Sequence, residues 1–184
     1  MAEGEFYGIL GENGAGKTTL MSILFGSIAQ TSGRFEICSL SYDTDADSIR
    51  RQIGIVPQEY ALYPTLTARE NLQYFGSLYH LKGKQLNSLI DDALAIVGLS
   101  GEADRRVEHL SGGMKRRINL VAGTLHSPRL LFLDEPNVGV DVVSKSVIID
   151  YLKDLNRRGV SILYSSHHLL EAQELCHRIG ILSS

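Results

Sequence analysis

The segment Gly11-Glu12-Asn13-Gly14-Ala15-Gly16-Lys17-Thr18-Thr19 constrains this chain more than any other. It follows a short apolar run, residues 6–10, and leads into residues 18–27, where Leu20, Ile23 and Leu24 recur at helical spacing. The reading is therefore buried strand, glycine turn, helix. Further strand signals lie at 35–39 and at 53–56, the second stopped by Pro57, and again at 130–133, 160–164 and 179–182. Helices are expected near 143–157 and 168–176. Strand–helix alternation at both ends predicts a parallel sheet with right-handed crossovers, flanked by helices. Between 67 and about 123 the pattern is helical: Leu72, Phe75 and Tyr79 share one face, and Leu89, Ala93, Ile96 and Val97 share another.

Gly11-x4-Gly16-Lys17-Thr18, placed after a strand and at the start of a helix, has the context of a phosphate-binding loop. Glycines let the backbone wrap closely around phosphates, and the helix N-terminus presents unpaired N–H groups to them. Lys17 is placed to neutralise the β- and γ-phosphates, and the Thr18 hydroxyl suits Mg²⁺. The nucleotide-binding set on this loop is Gly11, Asn13, Gly14, Ala15, Gly16, Lys17, Thr18 and Thr19. The expected fold is α/β, a P-loop NTPase parallel sheet over 1–57 and 127–184, with an α-helical subdomain inserted at 58–126.

A second chemical feature is Leu130-Leu131-Phe132-Leu133-Asp134-Glu135-Pro136, an apolar strand that ends in two carboxylates. Adjacent strand residues point to opposite faces, so the two acids are expected to do different jobs. Asp134 suits a metal role and Glu135 the orientation of an attacking water. Ahead of this strand, Leu110-Ser111-Gly112-Gly113-Met114 opens a helix expected over 114–123. The N–H groups of Ser111, Gly112 and Gly113 at its start can bind an anion. Lys115, Arg116 and Arg117 crowd the same turn, against the helix dipole. Two readings stay open for them: an anion docks nearby, or they form a solvated basic face.

A phosphate loop, a serine–glycine–glycine turn and an acidic strand in this order resemble the ATP-binding cassette (ABC) family over nearly the whole chain. The resemblance implies an ATPase that uses ATP and Mg²⁺. It implies that the Ser111 turn contacts the γ-phosphate held by a second ATP-binding subunit, either an identical copy or a paralogue. Gln58, after Pro57, matches the family's glutamine loop, which senses Mg²⁺ and the attacking water. Asp141 matches the loop that crosses the dimer interface, and His167 matches the switch histidine. The implied catalytic set is Glu135, His167 and Gln58, and the implied metal set is Thr18, Gln58 and Asp134. His168 and His177 do not make a metal site with His167, because no ligand spacing supports one. Met114 stands where the commonest family form has Gln, a variant that resembles an exporter-like branch.

Composition narrows the biology. A net charge of −3 argues against a general nucleic-acid binder. No apolar run approaches the ~18–20 residues a membrane helix needs. Met1-Ala2-Glu3-Gly4-Glu5 lacks the basic start and apolar stretch of a secretion signal, and Cys38 and Cys176 have no ligand-like spacing. They read as two buried thiols in a reducing compartment. The expected location is cytoplasmic, peripheral at the cytoplasmic face of the membrane through an integral permease partner, which the resemblance implies. Family members ordinarily carry strands ahead of this phosphate-loop strand, with an aromatic that stacks on adenine, and continue past Leu182. The chain is thus expected to lack both ends of the family's domain. Alternatives are a soluble ABC ATPase acting on ribosomes or nucleic acid, and a non-hydrolysing remnant. Tyr60, Tyr63, Tyr74, Phe75 and Tyr79 cluster after Gln58. Phe75 and Tyr79 suit either packing or an interface, whereas Tyr60 and Tyr63, in a loop, are expected to face the permease.

Overall fold

The computed structural model describes residues 1–183. In chain order its elements are β1 (Phe6–Leu10), α1 (Lys17–Leu24), α2 (Tyr42–Gln52), β2 (Ile53–Val56), α3 (Ala68–Leu78), α4 (Gly83–Ile96), α5 (Gly112–Thr124), β3 (Leu130–Asp134), α6 (Val142–Arg157), β4 (Ser161–Ser166), α7 (Leu169–Leu175) and β5 (Arg178–Ile181). The strands form one sheet in the order β2-β3-β4-β1-β5. β1 pairs in parallel with β4 and β5, and β3 pairs in parallel with β4. The α/β parallel architecture is as expected. β4 is buried along its whole length and β3 nearly so, which is why both read as continuous apolar runs rather than alternating ones.

The chain divides into two compact units. The first comprises Met1–Ile55, Pro128–Glu135 and the residues from Leu155 onward, and holds most of the sheet. Its core gathers Ile9, Met21, Ile37, Ile49, Ile53, Phe132 and Leu163. The second comprises Val56–Ser127 and Pro136–Asp154, and is built on α3, α4 and α5. Residues 136–154 were expected with the nucleotide core but group with the helical unit. The physical reason is local: Ser144 lies against Gly113, and the Tyr151 hydroxyl shares a 2.8 Å hydrogen bond with Thr124 on α5.

Four expectations change. Residues 35–39 form no strand. Ile37 and Leu40 exchange two backbone hydrogen bonds of 3.0 and 2.9 Å across Cys38 and Ser39, whose φ angles are 52° and 63°. That closes a two-residue turn, and Ile37 enters the core without a ladder. On α1 the fully buried residue is Met21, with Leu20 and Leu24 only partly covered. On α4 two apolar stripes compete, and Leu86, Ile90, Ala93, Leu94 and Val97 are buried while Ile96 stays 51% exposed. Cys38 and Cys176 are free and half-buried rather than buried, and burial pushes the Cys176 thiol up to about 12.

Helix α3 begins with a reciprocal cap. Thr67 Oγ1 accepts from the Glu70 N–H at 3.1 Å, and Glu70 Oε2 accepts from the Thr67 N–H at 2.8 Å. Asn71, fully buried on the same helix, accepts from the Tyr63 N–H at 2.7 Å and donates to the carbonyls of Tyr63, Leu66 and Thr67. One amide thus fixes the stretch from Tyr63 to Thr67 ahead of α3. Replacing it strands buried polar groups, so Asn71→Leu should cost about 1–3 kcal/mol in urea denaturation. It should also speed proteolysis within 60–67, and unchanged stability would remove Asn71 from this role.

Candidate active site

The phosphate-loop sequence joins β1 to α1. Gly14 and Gly16 adopt φ of 87° and 95°, so the loop turns where a side chain would be strained. Gly16 serves as the N-cap of α1, and its carbonyl accepts from Leu20 N–H at 2.8 Å. Asn13, Gly14, Thr18 and Thr19 are exposed, while Gly11, Ala15 and Gly16 are half-covered. Lys17 alone is buried, at 5% exposure. Its ammonium donates to the carbonyls of Gly11 at 2.9 Å and Glu12 at 3.2 Å, and lies 3.2 Å from Glu135 Oε1. The loop therefore folds around its own cation, and a carboxylate from another strand completes the shell.

That carboxylate arrives through sheet register. Asp134 stands opposite Ser165, and Leu10 stands opposite Ser166, so β1, β3 and β4 deliver their C-terminal ends together. The Ser165 hydroxyl donates to Asp134 Oδ1 at 2.5 Å and accepts from the Glu135 N–H at 3.0 Å. One buried serine thus holds both acidic residues. His167 follows β4, and its Nδ1 lies 3.1 Å from Glu135 Oε2. Glu135 therefore bridges Lys17 and His167 with its two oxygens. The two acids do face different partners, but not through the pleat. The strand ends at Asp134, and Glu135 adopts a left-handed φ of 46°. That conformation costs a non-glycine residue about 1–3 kcal/mol, and here three polar contacts hold it.

The remaining predicted residues, Gln58, Ser111, Gly112, Gly113 and Asp141, belong to the second unit. Ser111 caps α5, its hydroxyl accepting from the Met114 N–H at 3.2 Å. The helix starts at Gly112, two residues earlier than expected. Asp141 Oδ1 accepts from the Ser144 N–H at 2.9 Å, and that bond, with the Ser144 hydroxyl, holds the carboxyl below its usual range. Ser144 and Asp141 crowd the Gly113 Cα so closely that any Cβ there would collide with both. The Gln58 side chain is exposed.

The three basic residues of α5 follow neither of the two open readings. Lys115 donates to the Glu108 carbonyl at 3.3 Å, and Arg117 donates to the carbonyls of Val97 at 2.7 Å and Gly113 at 3.4 Å. Arg116 is buried and donates to the carbonyls of Pro57 at 2.9 Å and Gln58 at 2.5 Å. They bind the chain itself. His177 likewise is structural: its Nδ1 accepts from the Phe6 N–H at 3.0 Å.

Sequence comparison decides the family. The chain matches the ABC transporter family over residues 1–138. It belongs to that family. It is 43% identical over 182 residues to the linearmycin resistance ATP-binding protein LnrL of Bacillus subtilis, covering 99% of this chain and 58% of that protein. It is 38% identical over 182 residues to the Nod factor export ATP-binding protein I of Paraburkholderia xenovorans, covering 99% of this chain and 60% of that protein. The chain thus spans about three-fifths of the length of these curated relatives. Among solved structures, an ATP-binding cassette dimer in a post-hydrolysis state, bound to ADP and Pi, superposes with a TM-score of 0.89 at 27% identity. That match covers all of this chain and 83% of the other. The ATP-binding subunit of another ABC transporter gives 0.88 at 28% identity, covering 98% of this chain and 75% of that one.

Within this ABC chain, sequence reasoning missed Ser165 and the buried Arg116. Ser165 carried a signal, since it interrupts the apolar run Ile162-Leu163-Tyr164 one residue before the strand ends. A polar residue at a buried strand position needs a partner, and two acids lie at the end of the neighbouring strand. Ser165→Ala should cost about 1–3 kcal/mol, because it leaves the Asp134 carboxylate and the Glu135 N–H without their bonds. Guanidinium denaturation measures this. A change within about 0.5 kcal/mol, the range of neutral surface substitutions, would contradict the assignment.

Proposed function

We propose that this chain is the ATP-binding and ATP-hydrolysing part of an ABC exporter, working as a head-to-tail dimer beneath a separate membrane permease. One observation carries the reading: Glu135 sits between Lys17 and His167 at the joined ends of β1, β3 and β4. A carboxylate held by a cation and an imidazole is fixed in direction, which a general base or water-orienting group requires. Lys17 would bind the β- and γ-phosphates, and the N–H groups of Gly14, Ala15, Gly16, Thr18 and Thr19 would line them. Glu135 would take the proton of the attacking water as the bond from the γ-phosphorus to the bridging oxygen breaks. ADP and inorganic phosphate would leave. His167 would hold the Glu135 carboxylate toward that water.

The donor set fits Mg²⁺. Asp134 is a buried carboxylate with one oxygen engaged by Ser165, and Thr18 offers an exposed hydroxyl, both hard oxygen donors. Thr18, Asp134 and Gln58 are the residues proposed to hold the metal, which when bound would neutralise charge on the β- and γ-oxygens. Ser111, Gly112, Gly113 and Asp141 are proposed to meet the ATP of a second ATP-binding subunit, an identical copy or a paralogue. The packing of Asp141 and Ser144 on Gly113 supports treating these residues as one preformed surface.

Export as the direction rests on the relatives named for linearmycin resistance and for Nod factor export. No helix among the described residues is long and apolar enough to cross a membrane; the permease partner is proposed on membership of the ABC transporter family. Direct binding of nucleic acid is not part of this reading. A surface for the permease is available on the second unit. Tyr63 and Tyr74 are 45% and 41% exposed, their rings meet edge-to-face at 4.9 Å, and their hydroxyls lie 3.2 Å apart. Phe75 packs beside both rings, and Tyr79 stacks on His126 at 3.5 Å within the unit. Tyr79 therefore takes the packing role and the tyrosine pair the exposed one.

Two experiments test this. Glu135→Gln should retain ATP binding and slow turnover by about 10²–10⁴-fold, since the amide keeps the shape and loses the base. Lys17→Ala should weaken binding itself by about 10–100-fold, the worth of a charge-assisted contact. Turnover by Glu135→Gln within two-fold of the parent would remove Glu135 from the proposed role. Separately, Tyr63→Ala with Tyr74→Ala should leave nucleotide affinity unchanged while reducing copurification of an integral membrane protein with the chain. Equal recovery of that partner by parent and double variant would move the docking surface elsewhere.

A further inference from the structure

Among the described residues of the second unit Arg116 is the one charged side chain that is buried, and the proposed reaction does not use it. It is 4% exposed, it lies in an early turn of a helix whose dipole disfavours a cation, and among the described residues no carboxylate pairs with it. Its Nε finds no acceptor at all. Both of its terminal nitrogens are spent on consecutive backbone carbonyls, those of Pro57 and Gln58. One turn further along α5, Asn119 accepts from the Ala61 N–H at 3.1 Å and donates to the Pro57 carbonyl at 3.4 Å. Tyr60 closes the arrangement from the loop side. Its ring lies over the Arg116 guanidinium at 4.9 Å, and its hydroxyl donates to the Gly112 carbonyl at 3.2 Å. The loop bearing Gln58 is thereby tied to the first turns of α5 by three side chains.

We propose that Arg116 is a positioning residue that locks the Gln58 loop to the Ser111–Gly113 end of α5, so that the two respond to bound nucleotide as one piece. The inference rests on the reading above, in which Ser111 meets a phosphate and Gln58 the metal and water. A planar fork suits this task because it fixes two adjacent carbonyls at once, and so the rotation of the peptide between them. A lysine would reach one carbonyl and leave that rotation free. An apolar residue would remove this bond from the Gln58 carbonyl and leave the Pro57 carbonyl only the longer one from Asn119.

The test compares three substitutions in the full chain. Arg116→Gln removes the fork. Arg116→Lys retains the charge. Thr124→Val breaks a buried hydrogen-bond set on the same helix without touching the 57–61 loop. Amide hydrogen exchange at 58–62, the nucleotide dissociation constant, and the kcat and KM for ATP are measured for each, alongside denaturation midpoints. The expected result for Arg116→Gln is at least ten-fold faster exchange at 58–62 and at least ten-fold lower kcat, with nucleotide affinity and KM within two-fold. Arg116→Lys falls between it and the parent, and carries the test if the Gln variant does not fold. Thr124→Val, at a comparable loss of stability, keeps parental exchange in the loop and parental kcat. If Thr124→Val lowers kcat as much as Arg116→Gln does, or if the loop loosens without a fall in kcat, the positioning role is overturned. A parent chain without ATP turnover refutes the underlying hydrolysis reading instead, and loop exchange then decides the lock alone: faster exchange supports it and parental exchange overturns it.

Discussion

Parallel register between three strands is the constraint from which the candidate site follows. With Leu10 opposite Ser166 and Asp134 opposite Ser165, the C-terminal ends of β1, β3 and β4 are level. Three connections leave the sheet at one edge, carrying the glycine loop, the two acids and the histidine. A slip of two residues in the pairing of β3 and β4 would preserve which face each side chain points to. It would still separate Ser165 from Asp134 by nearly 7 Å, at about 3.3 Å per residue. Burial of both strands makes even a one-residue slip costly, because it would exchange residues between two fully packed faces. The packing of the sheet thus fixes the chemistry of its edge.

At that edge a buried cation dictates the rest. Lys17 is withdrawn from water and must be paired, since an uncompensated buried charge is strongly destabilising. Two loop carbonyls and Glu135 pair it, and Glu135 reaches it from a left-handed backbone. The strain at Glu135 is therefore offset by the ion pair with Lys17, the contact with His167 and the bond from Glu135 N–H to Ser165. A phosphate approaching Lys17 competes with Glu135 for the same ammonium. In the proposed reaction, that exchange would turn the carboxylate from a structural counterion toward water.

Much of this was legible in the sequence. The glycine spacing marked the loop, continuous apolar runs marked β1, β3 and β4, and Asp134 and Glu135 marked a strand end. The parts that were not legible share a cause, which is competition decided by tertiary contacts. Residues 35–39 have strand composition, but Cys38 and Ser39 turn the chain back after a single pair. On α4 the apolar stripe through Leu89 and Ile96 lost to the one through Leu86 and Ile90, because only one can face α3 and α5. Arg116 read as a surface cation or an anion ligand, since no local pattern reveals two bare carbonyls almost sixty residues earlier. Sequence patterns give periodicity and turns, whereas the satisfaction of distant backbone groups emerges only once the chain is folded.

The division into two units gives the polar residues a particular placement along the chain. Glu135 is the last residue of one stretch of the first unit, and Pro136 begins the next stretch of the second. Gln58 is the third residue of the second unit, after the crossing between Ile55 and Val56. The two residues proposed to manage the attacking water thus stand at or beside the points where the chain passes from one unit to the other. Each is held by its own unit: Glu135 by Lys17, Ser165 and His167, and the Gln58 backbone by Arg116. Glu135 and the Gln58 backbone thus take their orientation from neighbours within their own units. This accounts for the cost accepted at both places, a left-handed glutamate in one unit and a buried arginine in the other.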